Sequence, residues 1–141
     1  MSVTVYNRGL DELHDFTGST FKWLLLKSTG YSPDRDHDYV ADLTPASNEI
    51  SASGYGRVTA TTKTRTIDDT NDRISYDCDD PAFGSIASGQ TYGAAVLFKF
   101  VTNDSDSILI AHFPLTATAT DGTPVTPVIP IGGFIYADQG A

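Results

Sequence analysis

The segment Thr20-Phe-Lys-Trp-Leu-Leu-Leu-Lys27 decides the fold of this chain. It is strongly apolar and contains the only tryptophan of the sequence, Trp23. Bulky aromatic and aliphatic side chains favour the extended backbone of a β-strand. The lysines toward both ends indicate that the tips of the strand reach solvent. Trp23 and Leu25 are therefore predicted to lie in a core or an interface.

Strand patterns continue after this segment. Residues 55–67 are predicted to form the longest strand, with charged side chains facing solvent, and residues 73–78 return beside it as a hairpin. Residues 92–102 and 107–113 are apolar on both faces, so they are predicted to lie in the middle of the fold. The polar residues 103–106 are predicted to form the turn between them.

Helix is predicted in two places only. Residues 9–16 have a pattern that fits one short helical turn. A second short helix is predicted from Pro33 to Leu43, because Ser32 is a typical N-cap and proline is favoured at the first helical position. Pro45 is predicted to end it, since proline disfavours a helical conformation in the residue before it.

These patterns together predict an all-β fold in a single domain, residues 1–141. Short strands separated by Gly, Pro and Asp are typical of sandwiches and barrels. The predicted architecture is a β-sandwich or a flattened barrel of about eight strands, with one or two short helices. A chain of 141 residues can bury a core of this kind without disulfides or metals.

The composition limits the classes of partner. The net charge is −9, and the nine basic residues are scattered along the chain. Binding to nucleic acid draws on clustered Lys and Arg, so neither DNA nor RNA is expected as a partner. The same charge disfavours anionic membranes, and the longest apolar runs are far shorter than a membrane span. The single cysteine excludes an internal disulfide.

Three alternating aspartates, Asp34, Asp36 and Asp38, resemble the opening of a calcium-binding loop. Such a loop needs a glycine where Tyr39 stands and a bidentate glutamate where Pro45 stands. The predicted helix start explains the same carboxylates. No metal-ligating residue is therefore predicted.

Catalytic chemistry is not expected either. His14, His37 and His112 lie far apart in sequence, without the paired spacing of a zinc site. Cys78 is predicted to be a packed thiol, since neighbouring carboxylates would raise its pKa and make it a poor nucleophile. The sequence contains no nucleophile elbow, P-loop or dinucleotide-binding motif. No catalytic or cofactor-binding residue is predicted, and the chain is expected not to be an enzyme.

A proline-rich stretch at residues 123–131 has two interpretations. Prolines cannot donate to a β-ladder, so the stretch is either an edge strand protected from aggregation or an arm that docks on a neighbouring subunit. The arm interpretation makes this part of the chain an interface. Its candidate interface residues are Pro124, Val125, Pro127, Val128, Ile129 and Pro130.

Six stretches between residues 3 and 136 follow a shared pattern. They are Val3–Asn7, Thr20–Leu26, Tyr31–Asp38, Asn48–Gly56, Ala94–Lys99 and Leu109–Phe113. In this pattern the chain resembles a family of small virion structural proteins of tailed bacteriophages, which serve as head decoration, neck or minor tail proteins. The sequence departs from the family mainly in its proline-rich stretch after Gly122.

The resemblance implies a non-enzymatic structural component of the phage particle that is made in the cytoplasm of the bacterial host. Its expected partners are other virion proteins, namely the major capsid protein or neck or tail subunits, and further copies of itself. A different function is also open, that of a receptor- or carbohydrate-binding module of the tail tip. Tyr31 and Tyr39, beside the aspartate-rich turn, are the candidate ligand-binding residues for that function.

Overall fold

The computed structural model describes residues 3–129 and the backbone of residues 135–138. Its strands are β1 (Thr4–Val5), β2 (Phe21–Lys27), β3 (Val58–Thr59), β4 (Thr64–Asp68), β5 (Arg73–Asp77), β6 (Thr91–Lys99), β7 (Ile108–Ala119) and β8 (Ile135–Asp138). Its helical segments are the α-helices α1 (Asn7–Glu12) and α2 (Pro45–Asn48) and the 3-10 turns Leu13–Asp15 and Val40–Leu43. The prediction of an all-β fold with few short helices is confirmed.

The strands form two antiparallel sheets. The larger sheet has the order β1-β7-β6-β2-β3, and the smaller sheet has the order β4-β5-β8. In the described part of the chain neither sheet closes on itself, so the architecture is sandwich-like and the flattened barrel is excluded. The hairpin predicted for residues 55–78 is present as β4 and β5, and the hairpin joining the two central apolar strands is present as β6 and β7.

The central strands of the larger sheet are buried on both faces. Trp23 of β2 pairs with Leu97 of β6, and both face the core that lies between the sheets. The next pair, Leu24 and Val96, faces the opposite side and belongs to a second apolar cluster. Because successive side chains of a strand alternate between faces, a run of consecutive apolar residues requires cover on both sides.

The core between the sheets is rich in aromatic side chains. Phe16 directly follows the 3-10 turn Leu13–Asp15. Its ring lies 4.9 Å from that of Phe21 and 5.9 Å from that of Tyr76 in β5, measured between ring centroids. The ring of Trp23 lies 5.4 Å from that of Phe113 in β7. Tilted and edge-to-face geometries of this kind add to the hydrophobic contribution of buried rings.

The opposite face of the larger sheet is covered by residues 31–43, here called the covering segment. Val40 and Leu43 of this segment are fully buried against the second apolar cluster. The segment is attached to the beginning of β7 through its backbone. The N–H of Leu109 donates to the carbonyl of Asp38 at 2.9 Å, and the N–H of Val40 donates to the carbonyl of Ser107 at 2.9 Å.

The helix predicted from Pro33 to Leu43 is wrong. Residues 31–39 have no helix, with a turn at Arg35 and Asp36 and a single bridge at Tyr39; only Val40–Leu43 forms a 3-10 turn, and Pro45 begins α2. The backbone groups that a helix would use internally instead pair with the edge of β7. Local capping signals were outweighed by the need to cover an apolar sheet face.

The single long strand predicted for residues 55–67 is also wrong. The chain leaves the larger sheet after β3, turns at Thr62 with a φ of 53°, and enters the smaller sheet as β4. The longest described strand is β7, whose 12 residues extend the predicted strand at 107–113 through Pro114 to Ala119. The alternation of side chains in residues 55–67 continues through the point where the chain changes sheets. The sequence pattern therefore does not reveal the break between β3 and β4.

The double-sided burial of the central sheet generates a stability prediction. Leu24→Ala removes a fully buried side chain from the second cluster and should lower the free energy of unfolding by about 2–5 kcal/mol. Leu10→Ala removes the same atoms from a site that is 51% exposed and should change it by less than about 0.5 kcal/mol. Urea unfolding followed by Trp23 fluorescence measures both. Equal costs would contradict burial of the second face.

Candidate functional site

Four polar aromatic side chains meet at one end of the covering segment. The hydroxyl of Tyr6 lies 2.9 Å from that of Tyr31, which in turn lies 3.0 Å from Nδ1 of His37. The ring of His112 lies 5.9 Å from the ring of Tyr31. Tyr6 follows the edge strand β1, and His112 lies on β7 directly opposite Thr4. The β1 edge of the larger sheet therefore positions two of the four residues, which are here called the Tyr-His cluster.

Burial shifts the pKa values of three members of the Tyr-His cluster, Tyr6, Tyr31 and His112. Burial raises the pKa of Tyr6, and the hydrogen bond to Tyr31 raises it further. Burial also raises the pKa of Tyr31 and lowers the pKa of His112, which favours a neutral imidazole. Nδ1 of His112 is buried and has no hydrogen-bond partner among the described residues. The hydrogen bonds among Tyr6, Tyr31 and His37 link the covering segment to the sheet.

Two aspartates of the covering segment, Asp34 and Asp42, accept hydrogen bonds from backbone N–H groups of the same segment. Asp34 accepts a hydrogen bond from the N–H of Asp36 at 3.0 Å. Asp42 accepts hydrogen bonds from the N–H groups of Asp38 and Tyr39, each at 2.9 Å. Within residues 3–129 no group of three or more His, Cys, Asp or Glu side chains has an arrangement that could hold a metal ion. These carboxylates shape the turn, as aspartates commonly do in loops.

The two candidate ligand-binding tyrosines have separate partners. Tyr31 belongs to the Tyr-His cluster, where its hydroxyl is bonded to Tyr6. The ring of Tyr39 is faced by the guanidinium of Arg8, 5.0 Å from the ring centroid. Both tyrosines are half-buried. A sugar-binding platform needs an open aromatic face. The contacts of these two rings reduce the ring surface that is open to a sugar.

Much of the proline-rich stretch packs on the chain itself. Val125 and Ile129 are buried in the core between the sheets, and Pro127 is buried as well. The N–H of Val125 donates to the carbonyl of Gly84 at 3.0 Å, and the N–H of Ile129 donates to a carboxylate oxygen of Asp80 at 2.8 Å. The three buried residues therefore pack within this chain, and their assignment as interface residues stays a prediction.

The other candidate interface residues differ in position. Pro124 is exposed and forms a single bridge with Ser85, so the described part of the stretch is not a ladder strand. Val128 points outward with 72% of its surface exposed. Pro130 lies outside the described residues. Of the six, only Pro124 and Val128 are seen to be available for contact with another protein.

Cys78 is a buried thiol beside Trp23, as predicted. Burial raises its pKa to about 12, and the neighbouring carboxylates of Asp77, Asp79 and Asp80 add to the rise. A thiol in this state is almost entirely protonated near neutral pH and reacts slowly as a nucleophile. Its role is packing in the core.

An ionic cluster around Arg57 was missed by the sequence analysis. The guanidinium of Arg57 contacts Glu49 with two hydrogen bonds, at 2.8 and 2.7 Å, and Asp104 at 2.6 Å. The hydroxyl of Tyr55 donates to Glu49 at 2.7 Å and accepts from the N–H of Leu25 at 3.0 Å. The cluster ties the chain before β3 to β2 and to the turn after β6. Hydrogen bonding to Glu49 raises the pKa of Arg57.

No sequence signal could have revealed the Arg57 cluster. Its acidic partners lie 8 and 47 positions away in the chain. Arg57 was assigned to the solvent face of a long strand that the structure divides. Charged pairs separated by such distances become visible only once the register of the sheet is known.

The Arg57 cluster predicts unequal effects of its two carboxylates. Glu49→Gln should lower the free energy of unfolding by about 1–3 kcal/mol, because the Glu49 side chain is only 11% exposed and receives charged hydrogen bonds. Asp104→Asn should cost no more than about 1 kcal/mol, because Asp104 is 40% exposed. Urea unfolding measures both, and a double-mutant cycle of Glu49→Gln with Arg57→Met should be non-additive. A larger effect at Asp104 would overturn this order.

His112 predicts a pH dependence of stability. Because burial lowers its folded-state pKa, the unfolded chain binds the proton more tightly, and stability should fall as the pH drops below about 6.5. The fall levels off below the lowered pKa. Aspartates with lowered pKa, such as Asp68, act only below about pH 4, so melting between pH 7 and 5 avoids their contribution. His112→Gln should flatten this slope, whereas His14→Gln, an exposed control, should preserve it. An unchanged slope in His112→Gln would contradict the prediction.

Two further observations bear on identity. No helix in the described part of the chain is long and apolar enough to cross a membrane. Comparisons with protein-family models, with curated proteins and with solved structures found no match to this chain.

Proposed function

We propose that this chain is a non-enzymatic structural component of a tailed-phage particle, where it binds neighbouring capsid, neck or tail proteins. One observation carries the proposal. Three of the stretches that resemble the phage family lie in the buried centre of the larger sheet: Thr20–Leu26 in β2, Ala94–Lys99 in β6 and Leu109–Phe113 in β7. A fourth, Tyr31–Asp38, lies in the covering segment. The resemblance therefore concerns the scaffold.

The use of the polar side chains supports this proposal. The Tyr-His cluster holds the covering segment, and the Arg57 cluster holds the chain before β3. Asp34 and Asp42 of the covering segment accept hydrogen bonds from backbone N–H groups. Catalytic sites usually contain titratable groups poised to exchange protons near neutral pH. The strongest polar groupings described for this chain connect segments of the fold instead.

The charge distribution favours protein partners. Three of the nine basic residues, Arg57, Arg73 and Lys99, form ion pairs with carboxylates of the same chain. The nine basic residues are half as many as the 18 acidic ones, which leaves a net charge of −9. A phosphate backbone would be repelled by such a surface. Contacts with other virion proteins are compatible with this acidic surface.

The carbohydrate-binding alternative has weaker support. Tyr31 and Tyr39 are half-buried, and each has a ring or a cation beside it. Binding on a glycan array that is lost in Tyr39→Ala would favour that function over the structural one.

The structural role predicts a constant stoichiometry in the particle. Quantitative mass spectrometry of gradient-purified phage should find this chain in a fixed ratio to the major capsid protein, because a building block occupies symmetry-related sites. A copy number close to that of the capsid protein would indicate the head surface, and a far smaller number would indicate the neck or the tail. Absence of the chain from purified, infectious particles would overturn the proposal.

A further inference from the structure

The side chain of His112 lies beneath the covering segment. It is only 8% exposed, and its Nδ1 has no hydrogen-bond partner among the described residues. Its cross-strand neighbours within the larger sheet are Thr4 of β1 and Val96 of β6, neither of which is charged. From the covering segment it is faced by the ring of Tyr31, 5.9 Å away. The imidazole is thus faced by uncharged side chains from the sheet and from the covering segment.

The charged groups of the covering segment act on Tyr31 rather than on His112. Burial raises the pKa of Tyr31, and the charges of Asp34 and Asp42 raise it further. The pKa of His112 is lowered by burial, and a hydrogen bond with its own backbone opposes that shift. His37, the other titratable histidine of the Tyr-His cluster, contacts the hydroxyl of Tyr31 through Nδ1.

The charged groups of α1, which also packs against β7, are directed elsewhere. Arg8 faces the ring of Tyr39, Glu12 pairs with Lys99 at 2.7 Å, and Asp11 is exposed. Protonation of His112 would therefore place a charge in a buried site that these side chains do not neutralise. A buried and uncompensated charge disfavours the arrangement that buries it.

Residues 31–37, here called the strap, are the weakly buried part of the covering segment. None of the strap residues is buried, and residues 32–36 are exposed. Val40 and Leu43, at the other end of the covering segment, are fully buried. The strap directly follows Gly30, whose φ is 104°. Because glycine has few conformational restrictions, Gly30 is suited to act as a hinge.

A small set of hydrogen bonds holds the strap on the rest of the chain. The N–H of Asn7 donates to the carbonyl of Arg35 at 3.0 Å, and its side-chain amide donates to Asp36 at 2.9 Å. The hydroxyl of Tyr31 lies 2.9 Å from that of Tyr6. Segments with few buried contacts and exposed hydrogen bonds open at a low cost in free energy. The strap can therefore open while the buried end of the covering segment stays in place.

We propose that protonation of His112 lifts the strap from the larger sheet while Val40–Leu43 stays docked, so that the chain has an acid-sensitive opening above Tyr6 and His112. Water reaches the imidazolium in the lifted state, whereas the closed state buries it. Because the lifted state binds the proton more tightly, a lower pH shifts the population toward it. The inference concerns the fold itself and does not depend on the proposed function.

Amide hydrogen exchange followed by NMR tests this opening, because two adjacent amides report on different contacts. The N–H of Asn7 bonds to the strap at Arg35, whereas the N–H of Tyr6 bonds to the carbonyl of Ile110 in β7 at 3.0 Å. Protection factors, corrected for the intrinsic exchange rate, are compared at pH 7 and pH 5. That of Asn7 should fall by about tenfold or more at pH 5, and those of Tyr6 and Val40 should change by less than about threefold.

Three variants assign the effect to His112. His112→Gln should abolish the pH dependence of Asn7 protection. His37→Gln retains the buried imidazole and should preserve the pH dependence. Tyr31→Phe removes the hydroxyl contact with Tyr6, so it should lower the protection of Asn7 at both pH values and leave their ratio unchanged. The last two variants keep the test decisive if His112→Gln does not fold.

Three results would overturn the proposal. The first is equal protection of Asn7 at pH 7 and pH 5, which would mean that the strap stays closed. The second is a parallel loss of protection at Tyr6 or Val40, which would mean that β1 or the whole fold opens instead. The third is loss of the pH dependence in His37→Gln, which would assign the proton to the wrong histidine. None of these results bears on the presence of the chain in purified particles.

Discussion

The structure depends on one constraint, which is that the central strands of the larger sheet are apolar on both faces. In β2, Trp23 and Leu25 face one side while Leu24 and Leu26 face the other, and all four are almost fully buried. An antiparallel sheet can leave one face to water, but a sheet with this sequence cannot. The smaller sheet covers one side and the covering segment covers the other. The Tyr-His cluster and the pairing of Asp38 and Val40 with β7 follow from that second requirement.

The acidic character of the chain has a structural component. Several aspartates accept hydrogen bonds from backbone N–H groups in turns, namely Asp42, Asp68, Asp106 and Asp121. Hydrogen bonds from the backbone of Asn103 and Thr102 lower the pKa of Asp106, and a bond from Thr123 lowers the pKa of Asp121. A fold that connects many short strands needs many turns, and aspartate is well suited to them. Part of the net charge of −9 therefore reflects turn chemistry.

The elements that the sequence predicts well are those whose hydrophobic pattern is local. β2, β6 and β7 are recognisable because long apolar runs have few alternatives to a buried strand. The errors arise where tertiary contacts decide the local structure. The covering segment has the cap and the proline of a helix start, yet its backbone pairs with β7. The stretch around Thr62 alternates like a continuous strand, although the chain changes sheets there. The proline-rich stretch fits an edge strand or an arm in sequence, and only the fold shows that Val125 and Ile129 lie in the core between the sheets.

The two sheets differ in how their edges are treated, and this difference limits how the chain can associate. The larger sheet ends in strands of two residues. The side of β7 that faces away from β6 is partly occupied by β1 and by Asp38. In the smaller sheet, the edge strand β4 has five residues, and residues 64–67 are all exposed. Two bodies that each carry a net charge of −9 repel one another at long range, so a contact between copies needs local complementarity.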